Sequence, residues 1–304
     1  GRVLYSEGSH LFKDRVEELA WKNDRIAEAV VVAKHSDVVI LCVGLNETLE
    51  GEEGDTGNSY ASGDKADLNL PQCQRDLMEA VFNVGKPVVV CLLAGSAIDL
   101  SLADQKAAAV LQLWYPGARG GKAVADILFG EASPSGKLSV TFYRSLAGMP
   151  AFEDYSMKGR TYRYMTEEAL YPFGYGLTYG NVAVENAEIT TKEDASRDVT
   201  LRVDVVNRGS VETKDAVQVY VKDLESPFAV PNYSLCAFAK VSLESGERRS
   251  VELKVSGDAF CAVNEDGERV QESRKYILFA GTGQPDKRTE ELTGNACVKV
   301  DVEF

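Results

Sequence analysis

The sequence predicts two successive folds, a doubly wound α/β sandwich domain over residues 1–180 and an immunoglobulin-like β-sandwich over residues 181–304. Three observations carry this. The first part alternates continuous apolar runs with segments of helical period. Past Val182 the helical period stops, and short strands of alternating polarity follow one another between turns. The length, 304 residues, also exceeds the roughly 100–200 of a single domain.

Taken in order, Ile26, Ala27, Ala29, Val30 and Ala33 recur at helical spacing between Asn23 and His35, with Asn23 and Asp24 as caps and His35 as a C-terminal capping charge. Asp37 to Val43 (DVVILCV), ending at Gly44, has the pattern of a parallel strand buried on both faces. The unit repeats as a helix over Pro71–Val84, a strand over Pro87–Leu93 and the small turn Ala94, Gly95, Ser96. A short helix over Leu100–Lys106, a strand over Ala108–Trp114 and a helix over Lys122–Phe129 follow. Residues 130–180 are a turn-rich aromatic connector, and Tyr171, Phe173, Tyr175 and Tyr179 are expected to be buried between the domains. Strands are then expected at 199–206, 216–221, 237–243, 249–255, 276–280 and 296–302, with Leu201, Val203 and Val205 facing the sandwich core.

Composition narrows the function. Lys+Arg 33 against Asp+Glu 47 leaves a net charge of −14, a field that repels phosphate backbones, so no nucleic acid is expected as a partner. The apolar runs fall short of the roughly 20 residues that cross a bilayer, so no membrane span is expected either. Cysteines 42, 73, 91, 236, 261 and 297 form no CxxC pair and read as buried thiols. With only His10 and His35 there is little for a metal site or a Ser-His-Asp triad, and neither metal nor cofactor is expected. The first residues lack an apolar signal region, which points to a cytoplasmic location, while a start at Gly1 points to missing upstream sequence.

Two segments bear on chemistry. Glu50, Glu52, Glu53 and Asp55 stand on a Gly-rich loop after the first strand, where α/β domains bind ligands. It reads either as a solvated acidic loop or as the seat of a proton-donating carboxyl; the spacing of a calcium loop is absent. The segment WYPGARGG (114–121) precedes a helix but matches no phosphate-binding spacing. Its glycines read as turn residues, and Trp114 and Tyr115 as rings that stack on a sugar or pack between elements.

The order DVVILCVG, LEGEEGD, LNLPQCQRDLMEAV, KPVVVCLLAGS, LQLWYPGARGGKAVADILFGEASPSGKLSVTF, GRTYRY and LYPFGYGLTY resembles the C-terminal part of glycoside hydrolase family 3. QVYVKDLES and SLCAFAKVSLESGE are similar to the fibronectin type III-like domain that ends such enzymes. The resemblance implies a retaining mechanism with two carboxylates, an aspartate nucleophile on an N-terminal (β/α)8 barrel and a glutamate acid/base on a loop of the α/β domain. That glutamate carries over to Glu52, with Glu50 as the fallback; the family's frequent Gly-Asp-Arg is Gly63-Asp64-Lys65 here, preceded by an insertion. A barrel needs roughly 200 or more residues, and only a few tens precede the first strand. The chain is therefore expected to be the C-terminal portion of an exo-acting β-glycosidase, β-glucosidase first and β-xylosidase second, inactive alone. Its partners would be a β-linked glycoside and the missing barrel, with a homo-oligomer left open and the substrate-binding residues unknown. The alternative is a non-catalytic module that binds carbohydrate or protein.

Overall fold

The computed structural model describes residues 1–51 and 65–304, which divide into two compact units, one of residues 1–125 with 143–146 and one of residues 126–142 with 147–304. The first unit is the α/β part. Helix α1 (Ile26–Lys34) leads to strand β1 (Val39–Gly44), α2 (Gln72–Phe82) to β2 (Val88–Leu93), and α3 (Ser101–Lys106) to β3 (Ala109–Gln112). The strands form a parallel sheet in the order β1-β2-β3, with Leu41 opposite Val90 and Cys42 opposite Cys91. Parallel neighbours cannot be joined by a tight turn, and the helices α2 and α3 make the crossovers. Along α2 the residues Cys73, Leu77, Met78, Val81 and Phe82 are buried, an apolar stripe at helical spacing.

Gln74 ties α2 to the end of β1. Its buried amide donates to the Gly44 carbonyl at 2.7 Å and the Leu11 carbonyl at 2.6 Å, and its oxygen accepts from Gly44 N at 2.8 Å. Gly44 has φ +153, and a Cβ there would lie 1.9 Å from the Leu93 carbonyl oxygen, so only glycine lets β1 pass so close to β2.

Three local expectations are corrected. Strand β1 is covered on one side only: Leu41 and Val43 are buried, whereas Ile40 is 44% exposed and Cys42 is also exposed rather than a buried thiol. Apolar character sets what burial would gain and does not itself supply a covering element. Helix α1 is capped by Arg25 without a side-chain bond, because the Asp24 carboxylate instead accepts from Val16 N and Glu17 N. At the other end His35 is the cap, its Nδ1 2.8 Å from the Val31 carbonyl.

Helix α4 (Gly120–Leu128) runs from the first unit into the second, and α5 (Thr161–Tyr164) lies wholly in the second. Seven strands make two antiparallel sheets. One has the order β12-β11-β6-β7, from β6 (Thr213–Asp223), β7 (Ser234–Leu243), β11 (Lys275–Gly281) and β12 (Val298–Glu303). The other has the order β4-β5-β8, from β4 (Val182–Lys192), β5 (Val199–Asn207) and β8 (Arg248–Val255). A two-stranded ribbon, β9 (Ala262–Val263) with β10 (Arg269–Val270), stands apart from both sheets. Leu201, Val203 and Val205 of β5 are 0–1% exposed and share a core with Val217, Val219, Leu243, Val255 and Leu278. Helix α6 (Lys287–Thr293) was not expected, although Asp286 capping Thr289 N and the left-handed Gly294 at its end were readable as start and stop signals.

The connector is built into the second unit. Its two motifs pair: Phe142 N donates to the Tyr171 carbonyl at 2.9 Å, Leu138 N to that of Tyr175 at 2.8 Å, and Gly174 N to that of Leu138 at 2.7 Å. Lys137 forms a buried ion pair with Asp215 of β6 at 2.8 Å and also donates to the Gly176 carbonyl at 2.6 Å. The four connector rings are not buried as expected. Tyr171, Phe173 and Tyr175 are half-buried and Tyr179 is 48% exposed. A ring that stacks on another ring, as Phe173 does on Tyr162 at 4.4 Å, keeps one face accessible.

Candidate active site

The C-terminal ends of β1, β2 and β3 converge on one carboxylate, that of Glu50. Past β1, Leu45 N donates to the Leu93 carbonyl, and Asn46 begins a turn in which its carbonyl accepts from Leu49 N and Glu50 N, both at 3.0 Å. The Asn46 side chain accepts from Thr48 N and Thr48 Oγ1, and Leu49 is buried beside it. This turn points Glu50 at the segment after β2. There its carboxylate accepts from Gly95 N at 2.7 Å and from the Ser96 hydroxyl, and it accepts from the Tyr115 hydroxyl beyond β3. The Lys65 ammonium lies 3.7 Å away and donates to the Ala97 carbonyl at 3.1 Å.

Glycine at position 95 leaves room for these contacts, since a Cβ would stand 2.9 Å from the Tyr115 ring and 3.1 Å from the Glu50 carboxylate. Trp114, next to Tyr115, has φ +54, left-handed backbone that a bulky residue seldom adopts. Tyr115 is therefore a hydrogen-bond donor to Glu50, an outcome that neither stacking on a sugar nor simple packing described.

The electrostatics follow from these contacts. Burial works against a charged Glu50, but hydrogen bonds from Ser96, Tyr115 and Gly95 and the charge of Lys65 outweigh it and hold the carboxyl below its ordinary range. Burial lowers Lys65, with Glu50 opposing it, and burial raises the Tyr115 phenol, which Glu50 raises further. Glu50 is thus a fixed anion. A general acid needs its proton near neutral pH, and this environment moves Glu50 the other way.

Glu52, with Glu53, Asp55 and Asp64, lies outside the described residues. Sequence reading put Glu52 first and Glu50 second, and missed that Ser96, Tyr115 and Lys65 serve Glu50. The available signal was position, since Ser96 and Tyr115 follow consecutive strands of one parallel sheet. Among the described residues no group of three or more His, Cys, Asp or Glu is placed to hold a metal ion, and no helix is long and apolar enough to cross a membrane.

A separate cleft of about 490 Å³ in the second unit is lined by residues including Lys222, Asn232, Tyr233, Phe279 and Asp286. Its polar groups serve the fold. Asp286 accepts from Thr289 N and Oγ1, Lys222 donates to the Val230 and Pro231 carbonyls, and Asn232 donates to those of Tyr162 and Met165.

A parallel-sheet domain whose strand ends gather around a carboxylate, followed by an all-β sandwich, defines an α/β domain with a sandwich companion. The chain belongs to glycosyl hydrolase family 3: residues 6–179 match its C-terminal domain, and residues 215–284 match a fibronectin type III-like domain. A xylan 1,4-beta-xylosidase of Xylanibacter ruminicola is 37% identical over 88% of this chain and 31% of its own length. A periplasmic beta-glucosidase of Salmonella typhimurium is 33% identical over 92% of this chain and 39% of its own. The solved structure of a β-glucosidase from Erythrobacter marinus superimposes with a TM-score of 0.77 at 31% identity, over 91% of this chain and 36% of that one. The chain thus spans between 31% and 39% of the length of these relatives.

Proposed function

We propose that the chain is the acid/base-bearing C-terminal portion of a retaining β-glycosidase, with Glu52 as the acid/base. The observation that carries the residue choice is the cradle of Glu50. Held as an anion by three hydrogen-bond donors and Lys65, Glu50 is ill suited to give up a proton, and the match of Glu52 to the family's acid/base glutamate supports Glu52 as the proton donor. In this reading the nucleophilic aspartate lies on a (β/α)8 barrel supplied by the rest of the enzyme, and the chain alone has only half of the carboxylate pair. The substrate is a β-linked glycoside. Relatives named as β-glucosidases support a β-glucoside, and the 37% identity to a xylosidase supports a β-xyloside as the second reading.

The test is Glu52→Ala in the complete enzyme. Hydrolysis of glycosides with poor leaving groups should fall by about 10²–10⁴, while activated aryl glycosides change much less. Azide should restore turnover and yield a β-glycosyl azide. The same pattern from Glu50→Ala, with Glu52→Ala close to wild type, would exchange the two roles.

A further inference from the structure

The parallel sheet brings two cysteines together. Cys42 of β1 stands directly opposite Cys91 of β2 in the register, so both side chains leave the same face of the sheet. Cys42 is exposed and Cys91 is buried. Opposed residues on neighbouring strands are about 4.8 Å apart, inside the roughly 4.4–6.8 Å between Cα atoms that a disulfide bridges. The other cysteines have no such partner in the strand registers of the described residues.

We propose that Cys42 and Cys91 are a reversible thiol–disulfide pair, Cys42 the reacting thiol and Cys91 the resolving one, oxidised by hydroperoxides. The asymmetry of the pair supports the roles. The neighbouring Cys91 thiol favours the Cys42 thiolate and, against the opposing effect of burial, lowers Cys42 to about 7. The pairing with Cys42, and then burial, push Cys91 up, so it keeps its proton. A thiol that is accessible, partly ionised near neutral pH and next to a second thiol has the three features of a redox-responsive cysteine.

The steps balance. With hydrogen peroxide, the Cys42 thiolate attacks one peroxide oxygen, the O–O bond breaks, and the hydroxide released takes a proton to become water, leaving a sulfenic acid; an organic hydroperoxide releases an alcohol in its place. The Cys91 sulfur then attacks the Cys42 sulfur. The S–O bond breaks, and the thiol proton leaves with the hydroxyl as a second water. The two thiols have lost two electrons and the peroxide has gained them. The new bond would clamp β1 to β2 just before the turns that bring Glu50 to Gly95 and Ser96.

The test treats the reduced 304-residue chain with one equivalent of hydrogen peroxide near neutral pH, blocks the remaining thiols and maps them by mass spectrometry. Cys42 should react about tenfold faster than any of the other five cysteines, since it is exposed and its thiolate is the favoured one of the pair. The product should lose two hydrogens, carry a cross-link between the Cys42 and Cys91 peptides, and return to the dithiol with a reducing agent. In Cys91→Ala the sulfenic acid on Cys42 should persist and be trapped by dimedone; in Cys42→Ser, Cys91 should be inert. Oxidation spread evenly over the cysteines, or a sulfenic acid on Cys42 in the unsubstituted chain that never closes onto Cys91, would overturn the proposal. Mapping of the unsubstituted chain decides the matter even if Cys91→Ala does not fold.

Discussion

At the scale of single residues, Glu50 has the sharpest consequences because its carboxylate, beyond β1, has donors from beyond β2 and β3. Its folded-state pKa lies below the value of about 4.3 for a free glutamate. The stabilisation it contributes is therefore fully present above that value and is lost as pH falls through the lowered folded one. Melting temperature followed against pH should show an acid limb in the wild type that flattens in Glu50→Gln, which keeps the shape but not the charge. Gly95→Ala makes a steric counterpart. It forces a methyl group against Tyr115 and Glu50 and should cost about 1–3 kcal/mol, as overpacking does, read from denaturant midpoints.

At the scale of elements, the ion pair of Lys137 with Asp215 joins the connector to β6 of the sandwich. Both side chains are nearly inaccessible, at 11% and 5% exposure, so removing one partner strands a buried charge. Lys137→Met should therefore destabilise the chain by about 3–5 kcal/mol. Burial raises Asp215 while Lys137 and Ala216 N oppose the rise, and without Lys137 it would rise further. A carboxyl raised in the folded state is bound to its proton more tightly there than in the unfolded chain, so the deficit of Lys137→Met should narrow as pH falls toward that raised value. Replacing both partners, as in Lys137→Met with Asp215→Leu, should recover most of the loss. Chemical denaturation of the three variants at neutral and acidic pH checks the set.

At the scale of the whole molecule, the segments on either side of Gly180 are hydrogen-bonded within the second unit. Residues 130–142 and 147–180 are stitched to the sandwich by Ser133 with Thr213, Gln218 with the Gly174 carbonyl, Gln284 with that of Phe173 and Arg288 with that of Leu170. Deleting residues from Asn181 onward should thus leave residues 147–180 open to proteases, seen by limited proteolysis, whereas the intact chain protects them. The same deletion in the complete enzyme should lower thermal stability without switching glycoside preference, because the sandwich core is filled by its own apolar side chains and supplies structure. The isolated 304-residue chain should not hydrolyse aryl β-glucosides, since one carboxylate cannot serve as both acid and nucleophile. Robust turnover by a preparation of confirmed intact mass would count against the two-carboxylate reading.

The order of strands and helices was legible in the residues because it depends on local period. Apolar runs made β1 to β3, and alternation made β5 with Leu201, Val203 and Val205 inward, as observed. The family motifs were legible for the same reason, being contiguous. Only the tertiary structure decided which loops meet. Ser96 and Tyr115 lie 46 and 65 positions from Glu50, and while their places after consecutive strands put them at one sheet edge, only the fold brings their hydroxyls to one carboxylate. It also decided that Cys42 faces solvent opposite Cys91 and that Tyr179 stays accessible, since burial belongs to the elements that cover a residue rather than to its own apolarity.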